Sequence, residues 1–366
     1  MKVECIKEKL YSAVSKADKV TGKNLTLPVL SCVLLEAKGN FLTVKATNLD
    51  LGLEIKVPAK IESEGVVAVP GSVLNSFLSN LQDDKSINLE LVEGNLVVFS
   101  SNNKAVIKTF TVDDFPTIPS VENEKVFILA AADFVKGLKA VWYSASTSNI
   151  KPELSSVYIH SNDDGLVFVA TDSFRLAEKT VKAKKVEEFG SVLIPFKNVA
   201  DILKIINDEK EEMEVNITKN QISLKFSNTY VVSRVIDGVF PDYKQIIPKE
   251  FKTEVVVLKQ DLVNTLKISN IFSDTFNQIN IKALASEKKF EFRTKNSNVG
   301  ENVNNIQAAI TGEDVEINFN FKYIIDCFQS IDSDSVSMSF NGLAKPMVIK
   351  GVSDKSFTYL VMPMNR

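Results

Sequence analysis

The chain repeats one arrangement of apolar and polar segments three times, and this repeat restricts the possible folds more than any other feature of the sequence. Equivalent apolar runs end at Pro70, Pro195 and Asn320, which are spaced by 125 residues each time. A second pair of equivalent positions, Pro116 and Pro241, is also 125 residues apart. A chain of 366 residues exceeds what one core usually supports, and it accommodates three copies of about 122 residues.

Each copy reads as strand, helix, strands, helix and strands. No strand is predicted between Thr171 and Ser191 or at residues 270–289 and 295–314, and the last helix is predicted to extend through Ile331. The helices show apolar residues at i, i+3, i+4 and i+7, as in the series Leu10, Ala13, Val14 and Ala17. We therefore predict an α+β fold of three domains, each with two helices on antiparallel sheet, at residues 1–120, 121–247 and 248–366. Polar, proline-bearing linkers are expected near Pro116–Lys125 and Pro241–Thr253.

The composition indicates a globular protein of the reducing cytoplasm. Hydrophobic residues make up 45% and charged residues 24% of the chain, which is enough to bury sizeable cores. The three cysteines are widely spaced without a CxxC pair, so neither a disulfide framework nor a zinc site is indicated. No signal-peptide pattern or run of 18 apolar residues occurs, so no membrane association is expected.

Lysines lie opposite the apolar face of the predicted helices, although the formal net charge of the chain is −3. For a single helix the simplest interpretation is a solvated face, because acidic residues such as Glu8 and Asp133 share these surfaces. If the helices of all three copies line one concave surface, the lysines could contact phosphates without reading sequence. The lysines concerned are Lys9, Lys16, Lys19, Lys23, Lys136, Lys197, Lys204 and Lys322.

One stretch, Ala170–Ala177, combines the end of a strand with a polar corner and an arginine between Phe174 and Leu176. A segment with the same pattern, Leu42–Leu51, lies 124 residues earlier. The backbone of the stretch is therefore predicted to be a feature of the repeat. The residues that differ in the second copy, Ser173 to Leu176, are where we place the function.

The sequence shows no recognisable catalytic motif. His160 is the only histidine and fits an ordinary strand position, and no nucleotide-binding loop or metalloprotease motif occurs. We predict no catalytic residues, no metal site and no cofactor. Asp113-Asp114 and Asp172 remain the carboxylates around which an unrecognised active site could be built, and Asp113-Asp114 fits a solvated turn better.

Four short motifs in order resemble the bacterial DNA polymerase sliding clamp family, the beta subunit of DNA polymerase III, and the resemblance spans the whole chain. The motifs are Thr26–Leu30, Ala170–Ala177, Asp237–Tyr243 and Tyr359–Met364. The resemblance implies a head-to-tail homodimeric ring whose helices face double-stranded DNA without sequence specificity. It also implies that the replicative DNA polymerase, the clamp loader and repair proteins insert short linear peptides into one hydrophobic pocket per chain.

The family motifs assign residues to these sites. The peptide pocket is expected to comprise Leu154, Thr171, Ser173, Phe174, Arg175, Leu176, Pro241, Ile246, Pro346, Leu360, Val361, Met362, Pro363 and Met364. The dimer interface is expected to join Ile107 of one subunit to Ile271 and Phe272 of the other.

Some positions depart from the family pattern. Phe174 stands where histidine is common, and Asn24, Ser72 and Gln245 stand where arginines are common. DNA contact is therefore expected to depend more on lysine, and the peptide preference of the pocket is expected to differ.

Three functions remain in view at the level of sequence. The first is a DNA-encircling processivity clamp, the second an enzyme with an unrecognised carboxylate site, and the third a protein-interaction scaffold that does not touch DNA. The scarcity of histidine and clustered thiols argues against the second, and the lysine-bearing helix faces argue against the third.

Overall fold

The structure is a computed structural model that describes residues 1–22, 27–82, 85–121, 126–183, 190–206 and 209–364. The described helices are α1 (Lys7–Asp18), α2 (Gly71–Asn80), α3 (Ala131–Val141), α4 (Phe196–Ile206), α5 (Lys259–Ile271) and α6 (Phe321–Asp326). Short 3₁₀ segments occur at Pro28–Ser31, Trp142–Ser144, Tyr243–Ile246 and Cys327–Ser330.

The described strands are numbered in chain order. In the first copy of the repeat they are β1 (Lys2–Ile6), β2 (Cys32–Lys38), β3 (Phe41–Thr47), β4 (Leu51–Ser63), β5 (Gly65–Pro70), β6 (Ser86–Val92), β7 (Asn95–Phe99) and β8 (Lys104–Lys108). In the second copy they are β9 (Val126–Ala130), β10 (Ser156–Asn162), β11 (Gly165–Thr171), β12 (Arg175–Lys182), β13 (Ser191–Pro195), β14 (Glu212–Ile217), β15 (Gln221–Phe226) and β16 (Thr229–Arg234). In the third copy they are β17 (Thr253–Leu258), β18 (Gln278–Leu284), β19 (Lys289–Asn296), β20 (Gly300–Ile306), β21 (Ala309–Gly312), β22 (Val315–Asn320), β23 (Ser335–Phe340), β24 (Met347–Gly351) and β25 (Phe357–Val361).

The chain forms two compact units, and each contains parts of more than one repeat copy. Unit 1 consists of Met1–Val135 with Lys197–Val235, and unit 2 of Lys136–Phe196 with Ile236–Arg366. In unit 1 the described strands form a twelve-stranded antiparallel sheet whose main path is β8-β7-β6-β1-β4-β16-β15-β14-β9. The β4–β16 pairing joins the first repeat copy to the second within this unit.

Unit 2 contains two antiparallel sheets. The larger follows the order β13-β10-β11-β12-β25-β24-β23-β17-β21, and the smaller follows β20-β19-β18-β22. The β12–β25 pairing joins the second repeat copy to the third. It therefore corresponds to the β4–β16 pairing of unit 1.

The helices bury the faces that their periodicity predicts. Leu10, Ala13, Val14 and Ala17 of α1 are all buried. Helix α3 contacts its sheet so closely that a side chain at Gly137 would clash with the ring of Phe168. Asp113 and Asp114 lie exposed in a turn, as expected for solvated residues.

The three-copy α+β architecture is confirmed, whereas the individual strands were incompletely predicted. The periodicity missed β12, β18, β20 and β21, and it extended one helix through Ile331, whereas the structure ends α6 at Asp326 and continues as a 3₁₀ segment.

Candidate peptide-binding site

A tight turn between β11 and β12 forms the centre of the site. The Thr171 hydroxyl donates a hydrogen bond to the Arg175 carbonyl at 2.6 Å and accepts one from the Ser173 amide at 3.1 Å. The Asp172 Oδ1 accepts hydrogen bonds from the amides of Phe174 and Arg175, both at 3.0 Å. Ser173 takes a left-handed conformation with φ of 77°. The turn is therefore held by its own side chains, and it leaves the ring of Phe174 60% exposed.

Arg175 is fixed by groups from distant parts of unit 2. Its Nε lies 2.9 Å from Asp172 Oδ2, and its guanidinium donates hydrogen bonds to Asp326 Oδ2 at 2.6 Å and to the Tyr143 carbonyl at 2.7 Å. The Tyr323 ring lies beneath the guanidinium at 4.7 Å. Because only 12% of the side chain is exposed, Arg175 is a preorganised wall of the site.

Tyr359, which is fully buried, and the half-buried Tyr143 support this arginine. Burial raises the pKa of Tyr143 and of Tyr359 well above the usual value for a phenol, so both hydroxyls stay protonated. The Tyr359 hydroxyl donates to the Tyr323 carbonyl at 2.7 Å, and the Tyr143 hydroxyl lies 3.2 Å from Ser330 Oγ.

The last strand brings the C-terminal motif beside this turn. In the β12–β25 register Arg175 faces Val361 and Leu176 faces Leu360. Beyond β25 the Met362 amide donates to the Phe174 carbonyl at 2.8 Å, and the Met364 amide donates to the Asn318 carbonyl at 2.8 Å. The structure thus joins the Ala170–Ala177 and Tyr359–Met364 motifs.

An apolar cluster lies beneath the turn. Its buried members are Val167, Val169, Leu176, Leu193, Phe240, Tyr243, Val348 and Leu360. Tyr158 packs against this cluster and stacks on Phe240 with ring centroids 4.7 Å apart. His160 Nε2 lies 3.2 Å from the Tyr243 hydroxyl, so the only histidine of the chain belongs to this support and occupies the ordinary strand position expected for it.

The predicted pocket residues divide by exposure into a wall and a floor. The exposed or half-buried ones are Ser173, Phe174, Arg175, Pro241, Ile246, Met362, Pro363 and Met364, and these can contact a ligand directly. The buried ones are Leu154, Thr171, Leu176, Pro346, Leu360 and Val361. Leu176 and Leu360 contribute to the apolar floor, and the assignment of both groups to peptide binding stays a prediction.

Sequence reasoning missed several residues of this region. Asp326, Tyr143 and Tyr323 surround Arg175, but they lie up to 151 residues away in the chain, and no local pattern marks them.

The first repeat copy contains the same turn with different chemistry. The Thr47 hydroxyl donates to the Leu51 carbonyl, Asn48 accepts the amides of Asp50 and Leu51, and Leu49 has φ of 78°. The Arg234 amide donates to the Asp50 carbonyl at 2.8 Å, as the Met362 amide does to the Phe174 carbonyl.

Charged residues thus replace the apolar wall at the equivalent junction in unit 1. Asp50 and Arg234 stand in the places that Phe174 and Met362 occupy in unit 2, and the cleft there measures only about 70 Å³. The two corners therefore share a backbone conformation and differ in the chemistry of these two positions.

The lysines predicted to face DNA differ in their surroundings. Lys9, Lys19, Lys197 and Lys322 are exposed and Lys16 is half-buried, and these five form no ion pair within the described part of the chain. Lys204 contacts Asp201 at 2.8 Å, and Lys136 contacts Asp332 at 2.8 Å and lowers the pKa of that carboxyl. Lys23 lies outside the described residues.

The residues predicted for the dimer interface lie near the edges of two sheets. In unit 2, Ile271 is 64% exposed at the end of α5, and Phe272 lies against Gly300 of the edge strand β20. In unit 1, Ile107 of the edge strand β8 is only 5% exposed, whereas Val106 is 60% exposed. The side chain of Val106 is therefore better placed than that of Ile107 for contact with another subunit.

Within the described ranges, no three His, Cys, Asp or Glu side chains come together as a group that could hold a metal ion. Among the described helices, none is both long enough and apolar enough to cross a membrane.

The structure therefore defines a protein of three repeated α+β copies that are joined through shared sheets. Three family models match in order: the N-terminal domain of the DNA polymerase III beta subunit at residues 1–119, its central domain at 129–242 and its C-terminal domain at 244–365. The chain belongs to the DNA polymerase III beta subunit family.

Relatives and solved structures agree with this assignment over the full length. The beta sliding clamp of Synechococcus elongatus is 27% identical and covers 100% of this chain and 99% of its own length. The beta sliding clamp of Rickettsia bellii is 28% identical, with 97% of each chain covered. The crystal structure of the beta subunit from Thermotoga maritima matches with a TM-score of 0.94 and 28% identity over 100% of this chain and 99% of that chain.

Proposed function

We propose that this protein is a DNA polymerase processivity factor, a sliding clamp that encircles duplex DNA as a head-to-tail homodimeric ring. The observation that carries the proposal is the ordered match of all three family domains along a chain with the same repeated fold. A closed ring holds DNA by topology, so it needs only weak contacts that permit sliding.

Weak, sequence-independent contact fits the charges of the chain. The net charge is −3, and the proposed DNA-facing groups are mainly single lysines on helices. Lysine contacts phosphates as a point charge and carries no base specificity by itself. The Lys136 and Lys204 side chains are both exposed, so their ion pairs with Asp332 and Asp201 are weak enough to rearrange toward phosphates.

We propose that the corner around Phe174 and Arg175 binds short peptides of the replicative polymerase, the clamp loader and repair proteins. Phe174, Ile246 and the Met362–Met364 segment offer apolar surface beside a fixed guanidinium, which suits a peptide with apolar and acidic or carbonyl groups. Methionine side chains adapt to several ligands, so one site can serve several partners.

We further propose that the protein acts without catalysis, in the cytoplasm where a bacterial chromosome is copied. The carboxylate of Asp172, one candidate for a catalytic group, is engaged by two backbone amides and by Arg175. Its role is therefore to hold the turn.

Retention on circular and linear DNA tests the proposed function. The protein is loaded by its clamp loader onto a nicked circular duplex, and half of the sample is then linearised. A ring stays on the circle and slides off the free ends. Equal retention on both DNAs would exclude topological binding and favour a scaffold that binds elsewhere.

A further inference from the structure

A groove of about 320 Å³ in unit 1 lies between helix α1 and the turn that connects β15 to β16. Lys9, Ser12 and Lys16 of α1 form one side, and Ser227, Asn228 and Thr229 form the other. Ile55 and Val57 of β4 contribute an apolar floor, and Lys56 and Glu8 also line the groove.

The walls of this groove are held by backbone contacts. The Lys56 amide donates to the Asn228 carbonyl at 2.9 Å, and Thr229 pairs with Ile55 across the β4–β16 ladder. The Ser227 hydroxyl donates to Glu211 at 2.7 Å, which keeps that carboxylate occupied outside the groove. The turn is therefore fixed relative to β4.

The polar groups that line the groove favour an anion. The charged residues that line the groove are three lysines, Lys9, Lys16 and Lys56, and one glutamate, Glu8. None of the three lysines forms an ion pair within the described residues. The side-chain amide of Asn228 makes no hydrogen bond within the same residues, so its donors are available. Lys9 and Lys16 are seven residues apart and lie on one face of α1, about 10 Å apart along its axis.

We propose that this groove holds a backbone phosphate of the encircled DNA, with Asn228 as an uncharged contact beside the lysines of α1. This inference rests on the proposed clamp function, and it adds a turn of the second repeat copy to a surface that the sequence assigned to helices alone. A phosphodiester provides the single negative charge and the acceptor oxygens that the groove can satisfy. Such a contact fixes the position of the DNA strand without reading its sequence.

The test measures binding of the intact protein to a short, labelled linear duplex over a series of salt concentrations. Lys16→Ala is expected to lower the slope of log affinity against log salt by about 0.9, the value for one phosphate contact. Asn228→Asp places a like charge beside the phosphate and is expected to weaken binding at low salt about tenfold.

Two matched controls separate the groove from a general charge effect. Lys60→Ala removes an exposed lysine of β4 that does not line the groove, and Asn40→Asp adds the same charge as Asn228→Asp at the β2–β3 turn. Both are expected to change affinity less than twofold. If the control variants weaken binding as much as the groove variants, or if none of the four has an effect, the proposal is wrong.

Retention on nicked circular DNA distinguishes this inference from the clamp function. Asn228→Asp is expected to keep circle-specific retention, because ring closure does not depend on one phosphate. If Lys16→Ala and Asn228→Asp do not weaken DNA binding while retention on circles is normal, the phosphate site is wrong and the clamp function stands. Failure of the unmodified protein to distinguish circles from linear DNA overturns the clamp function.

Discussion

At the scale of single residues, the site separates side chains that hold the corner from side chains free to bind. Asp172, Asp326 and Tyr323 fix Arg175. Phe174, in contrast, is largely exposed and is free to contact a ligand. Compared with the histidine that the family resemblance implies at this position, Phe174 offers a larger apolar surface beside the guanidinium of Arg175. The preference of this corner is expected to shift toward apolar peptide side chains.

Phe174→Ala is expected to weaken binding of a polymerase-derived peptide by about 10- to 100-fold, which corresponds to removal of an aromatic contact worth about 1.5–3 kcal/mol. Met362→Ala and deletion of residues 362–366 are expected to act in the same direction. Isothermal titration calorimetry with the isolated peptide provides the measurement.

Phe41→Ala is the matched control, because it removes another partly exposed phenylalanine from β3 of unit 1. Its affinity for the peptide should equal that of the unmodified protein. If both Phe174→Ala and Met362→Ala bind the peptide with unchanged affinity, the peptide does not bind at this corner.

At the scale of elements, strand β12 explains both what the sequence predicted and what it missed. The Ala170–Ala177 and Tyr359–Met364 motifs were assigned to one site, and the β12–β25 ladder does bring them together. The strand itself was missed because its segment includes Glu178 and Lys179, and Lys179 is buried. Its ammonium contacts Asp354 at 3.1 Å and Ser356 at 2.7 Å, partners that no local pattern can reveal.

Strand β20 was missed for the opposite reason. It reads Gly-Glu-Asn-Val-Asn-Asn-Ile, and as an edge strand it buries too little surface to require apolar alternation. The walls of the site were likewise only partly predictable. Motif residues such as Phe174 carry their own signal, whereas Asp326 and Tyr143 gain their role only when the fold places them against Arg175.

The buried pair of Lys179 and Asp354 predicts an acid-sensitive contribution to the stability of unit 2. Burial alone would raise the pKa of Asp354, but hydrogen bonds from Ser356 and Lys179 outweigh it, and the pKa is lowered. A carboxyl with a lowered pKa stabilises the fold above its unfolded pKa of about 3.9, and this contribution is lost as the pH falls through the folded value.

Asp354→Asn is therefore expected to lower the free energy of unfolding at neutral pH by about 3–5 kcal/mol, because Lys179 is left buried without a counter-charge. The difference from the unmodified protein should shrink as the pH falls below about 4. Urea unfolding at a series of pH values measures it, and the other acidic groups cancel because both proteins contain them. A difference that is constant with pH would contradict the assignment.

At the scale of the whole molecule, two kinds of sheet edge suggest how copies of the chain associate. Strand β8 ends the unit 1 sheet and exposes Val106, and strand β20 ends the smaller sheet of unit 2 near the exposed Ile271 and Val303. Edge strands with free backbone groups and apolar side chains pair readily with another chain. In the head-to-tail ring that we propose, we expect each interface to join a β8 edge to a β20 edge, so that two such interfaces close the dimer.

Ile271→Asp and Val106→Asp are each expected to turn the dimer into a monomer at micromolar concentration, because each places a charge in both interfaces of the ring. Sedimentation velocity measures the oligomeric state. Leu343→Asp, a change of an exposed leucine elsewhere in unit 2, is the control and should leave the dimer intact. The thermal unfolding of all three variants should stay near that of the unmodified protein, since the residues are exposed.

An equimolar mixture of the Ile271→Asp and Val106→Asp variants decides whether the association is head-to-tail. One interface of the mixed dimer then joins the unmodified β8 edge of one chain to the unmodified β20 edge of the other, while the second interface carries both charges. The mixture should therefore recover dimers that neither variant forms alone, although these are open rings that do not stay on circular DNA. An interface between two identical edges would give a different pattern. Only one of the two variants would then be a monomer by itself, and mixing would not restore its dimer. Recovery of dimers in the mixture, together with loss of retention on circles, would connect the two edges to ring closure.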